Sequence, residues 1–187
     1  MQTMLKFIFT RIINKVFMYK NQTFWSNDDF KTNRLYWKDN QKEDSIPIRI
    51  KNLKLLNNIF KKHDIFYFLE GNTLNYIYRF GELDINDHDD DIGVFRKSRN
   101  KILLLEKDLN KLGFQIIRSN KYMISVCRDY RYIDICVFKN SLFKIGYGNK
   151  IFPKKFYKSF KKINFEGVHF NIPSSSRDLL EIRYGHK

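Results

Sequence analysis

The spacing of apolar positions changes along the chain, and each change predicts an element. In residues 1–19, Leu5, Ile8, Ile12 and Val16 recur at helical spacing, interrupted by Lys6, Arg11 and Lys15. Residues 20–47 are polar and irregular. Organised pattern begins near Ile48, where Leu53, Leu56, Ile59 and Phe60 mark one face of a helix. Ile65 to Leu69 is a short, wholly apolar run of the kind that forms a buried strand. Glu70, Gly71, Asn72 and Thr73 break it, and Leu74 to Phe80 returns to helical spacing. Ile92 to Phe95 predicts a second strand, and Lys97 to Leu112 a helix stopped by Gly113. Phe114–Ile117, Tyr122–Cys127 and Tyr132–Phe138 follow as three strands, with a hairpin turn at Asp129 and Tyr130. A strand pair over Phe165–Ile172 and a last helix capped by Ser175, with Asp178 in its first turn, close the chain. This order predicts an α/β (α+β) domain over residues 48–187, with a mixed sheet flanked by helices. Residues 1–47 form a basic amphipathic segment and a connector.

Charge adds a second pattern. The 187 residues carry 35 basic and 20 acidic side chains, a net charge of +15. Such a balance calls for an anionic partner. The acids are not spread evenly. Residues 1–62 hold 13 basic against 5 acidic, residues 63–134 hold 11 against 12, and residues 135–187 hold 11 against 3. Glu82, Asp84, Asp87, Asp89, Asp90 and Asp91 crowd together with no basic residue among them. Carboxylates so placed repel one another until a cation neutralises them.

On an extended backbone Asp87, Asp89 and Asp91 share one face, and His88 and Asp90 the other. Asp134 stands alone in the apolar run Tyr132–Phe138, where an unpaired carboxylate is costly to bury. On a neighbouring strand it completes a cage of oxygen ligands suited to Mg²⁺ or Mn²⁺, with Asp89, Asp91 and Asp134 as ligands. The calcium-loop spacing is missing. His63, His88, His169 and His186 lack a zinc spacing and are expected at the surface or in the core. Gly71 to Thr73 join a strand to a helix start, a place where backbone N–H groups can face a phosphate. Cys127 and Cys136 are predicted as reduced core thiols, opposite Tyr132 and Met123 of a hairpin and too far apart to bond.

Lys139 to Lys162 is basic with interleaved aromatics. A solvated segment whose rings pack down on the core is favoured over a nucleic-acid or polyanion surface. No apolar run approaches the roughly 20 residues of a membrane span. A secretory leader pattern is absent, so a cytoplasmic protein is expected, with peripheral membrane contact through residues 1–19 as a further option.

Residues 72–92, with Thr73, Arg79, Gly81, Asp87, Asp89 and Asp91, resemble the central motif of the LicD family, which includes phosphocholine transferases and fukutin-related proteins. Asp134 is similar to that family's later strand aspartate, and Phe165–Val168, Ile172–Ser174 and Leu180–Gly185 to its C-terminal signature. Asn72, Asn75 and the pair Ile85-Asn86 depart from the pattern. The resemblance implies a nucleotidyltransferase-type fold. It also implies metal-dependent transfer of a phosphorylated alcohol from a nucleotide diphosphate donor, such as a CDP-alcohol, to a hydroxyl of a glycan or glycoconjugate. Asp87, Asp89, Asp91 and Asp134 would be catalytic, with Asp134 or Asp87 as any base. Gly71, Asn72, Thr73 and Arg79 would bind substrate, Arg79 either clamping a phosphate oxygen or pairing with a nearby Asp. The alternatives are a generic nucleotidyltransferase, and a non-catalytic polyanion-binding module on the same fold.

Overall fold

The computed structural model describes residues 22–23 and 42–185. Helix α1 (Lys42–Lys62) is followed by strand β2 (Tyr67–Leu69), helix α2 (Gly71–Phe80) and strand β3 (Asp89–Phe95); a two-residue strand, β1 (Gln22–Thr23), precedes them. A 3₁₀ turn (Arg96–Ser98) leads into helices α3 (Arg99–Leu104) and α4 (Glu106–Lys111). Strands β4 (Gln115–Ser119), β5 (Met123–Arg128), β6 (Arg131–Asn140), β7 (Lys144–Tyr147) and β8 (Lys150–Pro153) come next. A second 3₁₀ turn, strands β9 (Phe160–Phe165) and β10 (Val168–Pro173), and helix α5 (Ser176–Tyr184) complete the order. The main sheet runs β1-β4-β5-β6-β3-β2, with β7 and β8 continuing from β6, while β9 and β10 form a separate hairpin. β3 and β6 are parallel and the other pairs antiparallel, so the sheet is mixed, as expected.

The two faces of the sheet are unlike. On the back lie Tyr67, Ile92, Val94, Ile133 and Ile135, all buried against the apolar face of α1, where Leu53, Leu56 and Phe60 are also closed from solvent. Tyr67 donates to Asn57 of α1 at 2.6 Å, tying the edge strand to that helix. On the front, Phe68, Phe138 and Tyr157 pack ring to ring, with Phe68–Phe138 centroids at 5.1 Å and Phe138–Tyr157 at 5.1 Å. Gly93 is obligatory there, since a Cβ would lie 2.2 Å from the Phe68 ring. The aromatic cluster fills one end of the front face and leaves the acidic end of β3 to a different purpose.

Several expected elements are observed with changed bounds. The first helix begins six residues before Ile48. The turn at Asp129 and Tyr130 has both residues at positive φ (51° and 57°), the conformation that matches the twist of a tight hairpin. It places Cys127 opposite Tyr132 and Cys136 opposite Met123, as the pattern predicts. The helix expected over Lys97–Leu112 is instead broken at Leu105 (φ −80°, ψ 3°), which lets both short helices turn apolar residues inward. Ser175 makes no side-chain cap; Ser176 donates to the Pro173 carbonyl at 2.6 Å instead. The closing strand pair is longer than predicted and turns at Glu166-Gly167. Among the described residues no helix is long and apolar enough to cross a membrane. The amphipathic segment 1–19, with its membrane contact, lies outside the described residues.

Candidate functional site

The site forms where β2 hands the chain to α2. Glu70 stays extended and donates its N–H to the Asp91 carbonyl at 3.1 Å, so β2 remains registered on β3 up to the last residue before the helix. Gly71 then turns with φ +58°, and a Cβ on it would sit 2.1 Å from Asp91 Oδ2. Both the left-handed backbone and the missing side chain are needed. Two residues on, Thr73 Oγ1 accepts the Asp91 N–H at 2.8 Å and donates to Asp90 Oδ1 at 3.4 Å. The helix start is thereby pinned against the strand that carries the carboxylates.

Alternation along β3 sends Asp89 and Asp91 to the front and Asp90 to the back. Asp90 meets Arg49 of α1, whose Nε and Nη2 donate to the two carboxylate oxygens at 3.1 and 2.8 Å. The same guanidinium donates to the carbonyls of Asp84 (2.7 Å), Asp87 (3.0 Å) and Asp89 (3.2 Å). Arg49 is 1% exposed and holds the acidic loop by its backbone. Sequence reasoning missed it, although its signal is there: Arg49, Leu53, Leu56 and Phe60 share a helix face, and a cation on an apolar stripe needs an anion. Asn72 works beside it, donating its amide hydrogens to Asp84 Oδ2 and Asp87 Oδ2, each at 2.9 Å.

The front-face carboxylates form a row. Asp91 pairs in register with Asp134 across β3 and β6, Asp134 with Ser125 on β5, and Ser125 with Arg118 on β4. Arg118 Nη2 donates to both Asp134 oxygens (2.9 and 2.7 Å), and Ser125 Oγ to one of them at 2.5 Å. Asp134 therefore has a resident cation. Among the described residues no Lys or Arg forms an ion pair with Asp89 or Asp91. Burial first, then Asp91, Asp134 and Asp87, push Asp89 up to about 9. Burial first, then Asp134 and Glu70, push Asp91 up to about 7. His88 lies between carboxylates, its Nδ1 3.7 Å from Asp87 and its Nε2 3.8 Å from Asp89. It does not turn to the back with Asp90, because β3 begins only at Asp89.

These residues fit a divalent cation. The donors are hard carboxylate oxygens with one imidazole, and one ligand atom from each of Asp87, His88 and Asp89 lies within 4.8 Å of the others. The crowding of unneutralised carboxylates around Asp89 and Asp91 is the electrostatic condition that a bound cation relieves.

Of the four residues expected to bind substrate, Gly71, Asn72 and Thr73 are brought to the carboxylates, but the side chains of Asn72 and Thr73 serve the acidic loop and β3. Arg79 Nη2 donates to the Gly185 carbonyl at 2.8 Å, and among the described residues Arg79 forms no ion pair with an Asp. Glu70, not singled out by sequence, is fully buried and bonded to Tyr157 (3.1 Å) and Arg183. In the segment 139–162, Tyr147, Phe156 and Tyr157 pack down as expected, whereas Phe143 is 77% exposed.

No family model matches the chain, and no curated protein matches it. The solved structure of the lincosamide antibiotic adenylyltransferase LnuA with lincomycin bound is similar to it, at 20% identity and a TM-score of 0.47 over 70% of this chain and 83% of that one. The LicD resemblance is thus overturned: no family model supports it, and the matching structure is an adenylyltransferase. The CDP-alcohol donor and the glycan acceptor rested on that resemblance alone and fall with it. Its key positions have another explanation here. Asn72, a departure from the pattern, ties Asp84 to Asp87, and Arg79, a match to it, bonds a distant carbonyl.

Proposed function

We propose that the protein is a metal-dependent nucleotidyltransferase, moving a nucleoside monophosphate from a nucleoside triphosphate to a hydroxyl. One observation carries the reading. Two alternate carboxylates of one strand, Asp89 and Asp91, share a face with Asp134 of the parallel neighbour, at the start of a helix whose Gly71 lies against Asp91. This is the arrangement that nucleotidyl transfer asks of a protein, because the reaction needs fixed anions to gather cations around a triphosphate.

Mg²⁺ or Mn²⁺ would be held by Asp89 and Asp91, with Asp134, Asp87 and His88 bordering, and would supply neutralisation of the triphosphate's charge. The chain's own residues do the rest. Gly71 leaves room for the Asp91 carboxylate beside the N-terminus of α2, whose N–H groups favour negative charge. Arg118 and Ser125 fix the Asp134 carboxylate and offset its charge, which makes it a holding group more than a proton acceptor. Asp87, at the rim with 18% of its side chain exposed, accepts the proton of the attacking hydroxyl. The hydroxyl oxygen bonds to the α-phosphorus, the bond from that phosphorus to the bridging oxygen breaks, and pyrophosphate leaves.

The test is to incubate the protein with each α-labelled nucleoside triphosphate, Mn²⁺ and pooled hydroxyl acceptors. Pyrophosphate release with label on an acceptor is expected, and its loss in Asp89→Asn/Asp91→Asn. Label recovered only as free monophosphate, or release that the double variant retains, would sink the reading.

A further inference from the structure

A basic stretch of the chain lies beside the acidic site, and neither the fold nor the proposed chemistry explains it. Residues 139–162 carry eight lysines, and no Asp or Glu occurs from 135 to 165. Lys144, Lys150, Lys155, Lys158, Lys161 and Lys162 are exposed, and among the described residues none forms an ion pair. The β7–β8 hairpin carries Lys144 and Lys150: Tyr147, paired across the hairpin with Lys150, is buried, and Lys150 Nζ lies 5.3 Å from its ring. Behind that ring Cys136 Sγ stands 3.7 Å from Asp91 Oδ1. Beside the lysines, Leu142 and Phe143 are each 77% exposed and Ile151 62%, with Leu142 and Phe143 the most exposed large apolar side chains among the described residues.

We infer that this surface binds a single-stranded nucleic acid and presents one of its hydroxyls to the carboxylate site, as the acceptor of the transfer proposed above. The shape of the patch selects this partner. Lys161 and Lys162 are neighbours on β9 and therefore point to opposite faces: Lys161 lies 5.5 Å over the Tyr78 ring, while Lys162 lines a cleft with Asn57 and His169. A flat bilayer meets only one of those faces, whereas a flexible polyanion passes over both. Lysines act on phosphates as point charges and read no sequence, and an exposed Phe143 offers any base a ring to stack on. The surface rests on its own observations; only the acceptor role depends on the transferase reading.

The experiment is fluorescence anisotropy of the full chain with labelled 20-nucleotide RNA and DNA strands, without nucleotide or metal, across a salt series. Binding is expected to weaken with salt, at a slope of about 0.7 per phosphate contact in the logarithmic plot. Lys144→Gln/Lys158→Gln/Lys162→Gln should lower that slope by about 2 with an unchanged melting temperature. Phe143→Ala should weaken binding roughly five-fold or more at an unchanged slope. Asp89→Asn/Asp91→Asn should bind the strand undiminished yet, once α-labelled nucleoside triphosphate and Mn²⁺ are added, transfer no label to it, whereas the wild type does. Capture by phosphatidylserine vesicles in place of the strands would overturn the inference. So would polyphosphate binding as tight as RNA with Phe143→Ala indifferent. Strand binding without label transfer by the wild type would refute the acceptor role and leave the transferase chemistry to be judged on its own test.

Discussion

Asp90 and Asp91 are neighbours in sequence and opposites in situation. Asp90 looks to the back of the sheet, 1% exposed, and receives two hydrogen bonds from Arg49. Asp91 looks to the front, lies against Gly71 and has other carboxylates for company. A buried carboxylate kept for structure brings its counter-charge with it, because an uncompensated ion inside a protein costs several kcal/mol. One that arrives without it has been left for something the chain does not encode. The difference separates scaffold from site within a single dipeptide.

The comparison can be broken most violently on the scaffold side. Arg49→Met strips Asp90 of its cation and three loop carbonyls of their donor, and should cost about 3–5 kcal/mol, read as a large fall in the denaturant midpoint. Adding Asp90→Leu should recover a good part of that loss, since the orphaned charge goes too. Next comes Gly71→Ala, which sets a Cβ 2.1 Å from Asp91 Oδ2 at a φ of +58°. It should cost about 1–3 kcal/mol and abolish the metal-dependent rise in melting temperature.

The front-face carboxylates should behave in the opposite sense. Their folded-state values, about 9 for Asp89 and about 7 for Asp91, lie above the ordinary carboxylate value, so the folded protein holds protons that the unfolded chain releases. The metal-free protein should therefore lose stability as pH rises from about 4 to about 9. Mn²⁺ should restore it most at the alkaline end, where its ligands are free of protons. Asp89→Asn/Asp91→Asn should flatten that slope and melt no lower than the wild type at pH 8, by calorimetry without metal. A double variant that melts well below it would show that these carboxylates are structural after all. The smallest effect belongs to Asn72→Gly, which removes two hydrogen bonds to Asp84 and Asp87. About 1 kcal/mol is expected, with weaker Mn²⁺ binding by titration calorimetry.

The legible parts of this molecule were those set by period. Alternation found β6 and the isolation of Asp134 within it, and helical spacing found the buried face of α1. The pairing about Asp129–Tyr130 followed from two strands meeting at a short polar turn. What escaped was set by contacts between distant residues. The bonds from Arg49 to Asp90 span 41 residues, and nothing in either neighbourhood names the other. His88 was assigned to the wrong face because alternation was extended one residue before the strand begins. The bond from Arg79 to the Gly185 carbonyl spans 106 residues and has no signature in either neighbourhood. The row from Asp134 through Ser125 to Arg118 became visible only once the strands had neighbours.

The pairing of Glu70 with Arg183 bears on how the molecule is made. Glu70 sits immediately before the glycine that shapes the site, and its buried carboxylate is matched by Arg183, 113 residues later. During synthesis the sheet, the helix start and the carboxylates can all emerge while Glu70 still lacks its cation. The order of translation therefore makes the last helix the keystone. Until α5 docks, the strand-to-helix corner lacks the Arg183 partner that Glu70 has in the folded protein.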